Sequence, residues 1–494
     1  MSTDTPASSP CFSESYGHRI AIIEDGEAGI PEQIVQSMWF DQQFATNGLC
    51  THKGDALKIL SPGWWNRNEG PDFKDAQIEL RGEIRQGDIE VHLDHASWIG
   101  HGHHIDSRFD DVLLVAVLQT KPPKNLPVSS EGRAIPCLLL GNFLLEDMAT
   151  LAQRLPLSPL TEDATLARGF CASVAEAYGT DRVHSFVRQA GEWRLLNKSR
   201  LLRERIERSG PDQGLYEAVM TACGYSRYKQ HFRVVSQQLP YDRVRQLARQ
   251  DAMLVETACL QLAGLLPNEL PKGTTAVPHF ARLRALRRDE LGGLRSLPLV
   301  WKRLGVRPNN YPERRMAGAA RFFARTSKDG LANALDGIWN VEANPLERRR
   351  MFEALFPRPM GFWADHCSWA GKKLAKPTAL IGAARIRSII GNVFIPYGLA
   401  LARQQRDLEA EQRVFEFFTA FPKEAENRIV STMVPRVFGE KLPKRIDFRT
   451  QQGLLQVYQD HCEANPSCRN CRMIPYLDEE GEARKRFDRD SRNA

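Results

Sequence analysis

The hydrophobic periodicity of the chain changes once, near Thr161, and that change restricts the fold more than any other feature. Before it, GDIEVHL (Gly87 to Leu93) alternates strictly, as a half-buried strand does. DVLLVAVLQ (Asp111 to Gln119) is a nearly continuous apolar run, the pattern of a central strand covered on both faces. ALKILSPGWWN predicts a strand running into a Pro-Gly turn, DFKDAQIEL a strand of mixed polarity, RGEIRQG a turn, and AIPCLLL a further edge strand. PEQIVQSMWFDQQF places Ile34, Met38 and Trp39 at helical spacing, with Pro31 suited to a first turn. Asp94 to Phe109 is polar and interrupted by Gly100 and Gly102, so it reads as a broken helix or a loop. After Thr161, segments such as VHSFVRQAGEWRLLNKSRLLRERIERS carry the 3.6-residue period, and no internal repeat of fixed length is found.

The expected fold class is therefore α+β, a small mixed-sheet α/β domain followed by a larger all-helical domain. Residues 1–20 are expected to be a disordered tail and 21–150 the α/β domain. The helical domain should span 161–440, a cysteine-containing segment 441–480, and a charged tail 481–494.

Composition excludes little. The 494 residues carry a formal net charge of +7, a modest bias compatible with a polyanionic partner. The bias is uneven: Ala281 to Arg350 holds 16 Lys/Arg against 7 Asp/Glu, which suggests a basic face or simply a solvated helical surface. No run approaches the roughly 18 apolar residues of a membrane span, and no targeting signal is visible at the first residues. Most of the ten cysteines stand singly in apolar contexts, which suits a reducing cytoplasm. The sequence lacks GxxxxGK[ST], GxGxxG and GxSxG, which disfavours ATP-driven, hydride-transfer and serine-hydrolase chemistry.

The densest group of ionisable residues is EGPDFKDAQIELRGEIRQGDIEVHLDHASWIGHGHH, Glu69 to His104. Strand alternation puts Asp88, Glu90 and His92 on one face of GDIEVHL. Such a stack is costly in a central strand unless solvated, paired or bound to a metal. Asp72, at the start of the preceding strand, is expected to sit beside them. Two carboxylates and one proton-transferring side chain make a workable site for metal-assisted phosphodiester hydrolysis.

Pro71-Asp72 followed by Glu90-Val91-His92 resembles the motif of PD-(D/E)xK nucleases. The resemblance implies Asp72 and Glu90 as ligands of Mg²⁺ or Mn²⁺, and Glu32 on the preceding helix as an additional acid. His92 stands where that superfamily carries lysine and is expected to assist the attacking water in its place, a departure that also allows a fold without catalysis. GPDF, the G-D-I-E-V-H strand, HGHH, RPNNYPERR, GNVFIP and the C-terminal cysteines also resemble a family of bacterial proteins that supplies no established activity. HASWIGHGHHID resembles only in part the HxHxDH ligand motif of metallo-β-lactamase-like hydrolases, because Asp106 lies three residues past His103 and no histidine follows it.

Four further groups complete the candidates. Trp64 and Arg67 in SPGWWNRN are suited to stacking on bases, or to burial against the helical domain. His101 and His103 are expected to contact nucleic acid, or to line a structural loop. Arg314 and Arg315, among the arginines of RPNNYPERRMAGAARFFAR, are expected to neutralise phosphates. HCEANPSCRNCRM sets Cys462, Cys468 and Cys471 at C-x5-C-x2-C spacing, which points to zinc or an Fe–S cluster with His461 or Cys367 as the fourth ligand. The leading expectation is a metal-dependent nuclease, or nuclease-like protein, acting on nucleic acid. The alternatives are a non-catalytic nucleic-acid-binding adaptor on the same fold and a zinc hydrolase built on His101 to Asp106. No membrane partner is expected.

Overall fold

The computed structural model describes residues 12–13, 15–17, 32–66, 70–122, 125–145, 169–270, 272, 274, 276–425, 427–440, 442–443, 445–462, 468, 471 and 473–478. Six strands form one sheet: β1 (Leu57–Ser61), β2 (Trp64–Trp65), β3 (Phe73–Leu80), β4 (Glu83–His92), β5 (Val112–Val117) and β6 (Cys137–Leu139). The order is β1-β3-β4-β5-β6, with β2 also paired to β3. β3 is antiparallel to β1, β2 and β4, whereas β5 runs parallel to both β4 and β6. The architecture is α+β, as the change in period predicts.

RGEIRQG is not a turn throughout. Only Arg81 and Gly82 turn, both at positive φ (55° and 82°), as a two-residue hairpin connection requires. Glu83 to Gly87 continue β4 as the outer half of the hairpin, where exposure of Glu83 to Gln86 allows the polar composition that mimics a turn.

Helix α1 (Glu32–Asp41) covers one face of the sheet, burying Ile34, Val35, Met38 and Trp39 with Ile89, Val91, Leu114 and Ala116. Each buried Ile, Val, Leu or Met side chain among these contributes about 1.5–3 kcal/mol. Trp39 satisfies its indole N–H on the Pro62 carbonyl at 3.0 Å. The opposite face is covered differently. A parallel pair cannot be joined by a tight turn, so residues 93–111 cross from the end of β4 to the start of β5. This crossover forms the single-turn helix α2 (Ser97–Gly100) and two 3-10 turns, His103–Ile105 and Ser107–Phe109. Trp98 and Phe109 anchor it on Val112, Val115, Val117, Cys137 and Leu139. HGHH is thereby held against the end of β4.

From Phe170 the chain is helical. The helix Thr180–Ser209 lies against Phe448–Val457 at unusually short range. A Cβ on Gly453 would stand 1.8 Å from the Val187 carbonyl oxygen, and one on Gly191 would stand 2.2 Å from that of Arg449. The core also holds the Glu256 carboxylate, which accepts from Trp363 Nε1 and His279 Nε2, both at 2.8 Å, and from Arg321 Nε at 2.9 Å. Phe12 and Tyr16, within the stretch expected to be a tail, are buried in this same core. Residues 481–494, the expected charged tail, lie outside the described residues. The sheet domain meets the helices where Gln230 Nε2 donates to the Phe40 carbonyl (2.6 Å) and Lys302 pairs with Asp75. Among the described residues no helix is long and apolar enough to cross a membrane.

Candidate metal centre

The site is assembled from three segments that the topology forces together. β4 supplies Glu90 and His92 at its buried end, 4% and 0% exposed. α1 supplies Glu32 from its first turn, and the crossover supplies His101 and His103. His92 Nδ1 lies 3.1 Å from Glu32 Oε1, which directs the other ring nitrogen, Nε2, into the site. His92 Nε2 and His103 Nε2 are both buried without a hydrogen-bond partner. They stand 3.6 and 3.2 Å from Glu90 Oε1, within ion-pair range but out of line for a hydrogen bond. His101 completes the group: one nitrogen from each of His92, His101 and His103 lies within 4.8 Å of the other two. His101 is exposed, so the site opens to solvent on that side.

His103 is positioned by stacking on Phe109, with ring centroids 3.9 Å apart, and Trp98 meets it edge-on at 5.3 Å. Burial lowers the pKa of His103, favouring the neutral ring that a metal requires. Three imidazoles suit zinc or a similar divalent transition metal and are unusual for magnesium, and the Glu90 carboxylate lies beside two of them.

Asp72 is adjacent but differently employed. Its backbone N–H donates to Glu90 Oε2 (2.8 Å), while its Oδ2 accepts from the Val91 N–H (3.1 Å). Gln36 Nε2 donates to its Oδ1 at 2.9 Å. Both carboxylate oxygens are thus engaged in a clasp between the start of β3 and the end of β4. Burial, reinforced by nearby Glu90, raises the Asp72 carboxyl well above the usual carboxylate range. Burial raises Glu90 too, against the opposing pull of His92. Asp88, the third member of the predicted stack, is neutralised by Lys74 at 2.6 Å and lies apart from the imidazoles.

The remaining candidates fall elsewhere. Asp106 is taken up by Arg108, which donates through its backbone N–H and its guanidinium, so the HxHxDH-like reading of this stretch is corrected. His95 is held by Gln119. Trp64 pairs with Lys74 through its strand, and Arg67 lies outside the described residues. Arg314 and Arg315 are buried, 1% and 6% exposed, and do not form the surface row expected of phosphate-gripping arginines. Arg314 spends its donors on the Trp363 and Thr378 carbonyls and on Asn309, while Arg315 donates to the Cys223 carbonyl. Cys367 hydrogen-bonds Asn309, a position that pairs it with the Arg314 network.

Sequence reading missed the convergence of His92 with His101 and His103. The available signal was the parallel pairing of β4 and β5, since any crossover between them must pass over the end of β4. Gln36, which orients Asp72, gave no signal.

A model of one protein family, described as "Protein of unknown function (DUF2851)", matches residues 32–427, a span that includes all the residues of this site. No curated protein and no solved structure matches the chain.

Proposed function

The chain belongs to the DUF2851 family, and we propose that its α/β domain is a metal-dependent hydrolase. His92, His101, His103 and Glu90 hold one divalent transition-metal ion in this reading. The observation that carries it is a pair of buried imidazole nitrogens, on His92 and His103, with no hydrogen-bond partner and a shared carboxylate oxygen beside them. Buried polar atoms are rarely left unmet, and a metal bound between His92 and His103 would meet both of these nitrogens. Such an ion supplies a Lewis acid and an activated water. Glu32 orients His92 as outer-shell carboxylates do for metal-bound histidines. The Asp72–Glu90 clasp keeps Glu90 Oε1 facing the imidazoles.

A second reading keeps the nuclease expectation, with Asp72 and Glu90 as joint ligands of Mg²⁺ and nucleic acid as substrate. Its support is the Asp72 backbone N–H on Glu90 Oε2 and the repulsion that Glu90 exerts on the Asp72 carboxyl. In this reading Asp72 holds the ion with the lone pairs that Gln36 and Val91 leave open. The test measures binding of Zn²⁺, Mn²⁺ and Mg²⁺ by calorimetry, and hydrolysis of a chromogenic phosphodiester and a carboxylic ester. The hydrolase reading expects zinc or manganese binding and turnover to fall at least about 100-fold in His92→Ala and His103→Ala. It expects metal affinity in Asp72→Asn to stay within about threefold, less than 1 kcal/mol. Loss of metal in Asp72→Asn with retention in His103→Ala would overturn it in favour of the second reading.

A further inference from the structure

The three C-terminal cysteines meet a fourth that lies far from them in the sequence. Cys171, in the first turn of the helix Phe170–Tyr178, lines one cavity with Cys462, Cys468 and Cys471. Of the two fourth ligands expected from the sequence, Cys367 lies elsewhere, bonded to Asn309, while His461 lines the same cavity with its Nε2 3.2 Å from Tyr16 Oη. Nothing in the local sequence marks Cys171, because the fold alone brings the start of the helical region against its end.

We infer that Cys171, Cys462, Cys468 and Cys471 ligate a [4Fe–4S] cluster that ties the C-terminal segment to the helix Phe170–Tyr178. Four cysteines are the ligand complement such a cluster takes. They bind as thiolates, each releasing its proton as iron and sulfide are supplied. Spacing favours a cluster over one zinc ion. Sulfurs sharing a zinc, with Zn–S of about 2.3 Å, would lie about 3.8 Å apart. No three of these sulfurs lie within 4.8 Å of one another among the described residues. One neighbour is arranged as a cluster would need. Arg436, 2% exposed, donates from Nη2 to Cys468 Sγ at 3.1 Å, and also bonds Cys462. A buried guanidinium aimed at two sulfurs suits thiolate ligands and supplies the N–H···S bonds that tune cluster potential. Cys468 holds a left-handed backbone (φ 59°), a conformation that costs a non-glycine residue energy and tends to persist where the surroundings impose it. Tyr178 Oη donates to Asp478 Oδ1 at 2.7 Å, so the same two segments are joined a second time.

The site is separate from the imidazole centre, and the two are tested independently. Full-length protein is purified without oxygen after expression with added iron, then analysed for iron, acid-labile sulfide and zinc. The expected result is about four iron and four sulfide per chain beyond any metal at the histidines, with broad visible absorption that bleaches on reduction. Cys171→Ser should lose that absorption and most of the iron, while Cys223→Ser, at a buried cysteine elsewhere in the core, should keep both. One zinc per chain in place of iron and sulfide, or four titratable thiols with no metal, would overturn the inference. So would a full iron and sulfide content in Cys171→Ser. The wild-type analysis decides even if that variant does not fold.

Discussion

Replacing Glu32 with Ala removes the hydrogen-bond partner of His92 Nδ1, a contact of 3.1 Å to a ring that is itself fully buried. Without it, the proton of His92 is free to occupy Nε2, the nitrogen that faces His103 and Glu90. The ring also loses the contact that fixes its rotation. Loss of an outer-shell partner of a metal-bound histidine weakens metal binding by about 10–100-fold. The Glu32 side chain is 29% exposed, so solvent screens much of its charge. The lower end of the range is therefore expected, about tenfold or 1.4 kcal/mol. Glu32→Gln, which keeps a hydrogen-bonding oxygen at that position, should lose less than Glu32→Ala. The assay is competition for zinc with a chromophoric chelator at one pH, with circular dichroism as a control for folding. If Glu32→Ala binds zinc as wild type does while His92→Ala does not, the orienting role of Glu32 is refuted. If neither substitution changes the affinity, the centre itself is refuted.

Other outcomes follow from the helical core. Glu256→Ala should destabilise the protein by about 3–5 kcal/mol in urea unfolding, because it strands Arg321 and the indole N–H of Trp363. Burial alone would raise the Glu256 pKa, but His279 and Arg321 outweigh it and hold the carboxyl below its ordinary value. Its contribution to stability is therefore complete above the unfolded-state pKa of about 4.3 and is lost as pH falls through the lower folded-state value. Glu256→Gln should flatten that part of the stability–pH profile, and an unchanged acid slope would contradict the assignment. Gly453→Ala should cost about 3 kcal/mol, the upper end for overpacking, since its Cβ would meet the Val187 carbonyl at 1.8 Å. Gly337→Ala, in an open helical position, should instead stabilise by about 0.4–1 kcal/mol; thermal melts of the pair check both signs.

The sheet was legible because its strands carry either strict alternation or uninterrupted apolar runs, and the helices because their apolar residues recur at 3.6. The outer half of β4 was not, since Glu83 to Gln86 are exposed and carry no hydrophobic signal. Asp72 and Glu90 were legible as neighbours from strand pairing, whereas the hydrogen bonds that clasp them together were not. The histidines were read in the opposite sense. HGHH has poor ligand spacing within itself, and only the crossover from β4 to β5 brings it to His92. Arg314 and Arg315 looked like surface charge because composition does not show which face of a helix turns inward. Cys171 was invisible for the same reason as the histidine group: ligands from distant segments leave no spacing to read.

The central claim is the imidazole centre, and anomalous diffraction from crystals soaked with zinc tests it most directly. The account predicts a single peak in the α/β domain, about 2.0–2.1 Å from ring nitrogens of His92, His101 and His103, with Glu90 Oε1 beside it. A peak coordinated by Asp72 and Glu90 without the imidazoles, or no peak between β4 and the crossover, would contradict it.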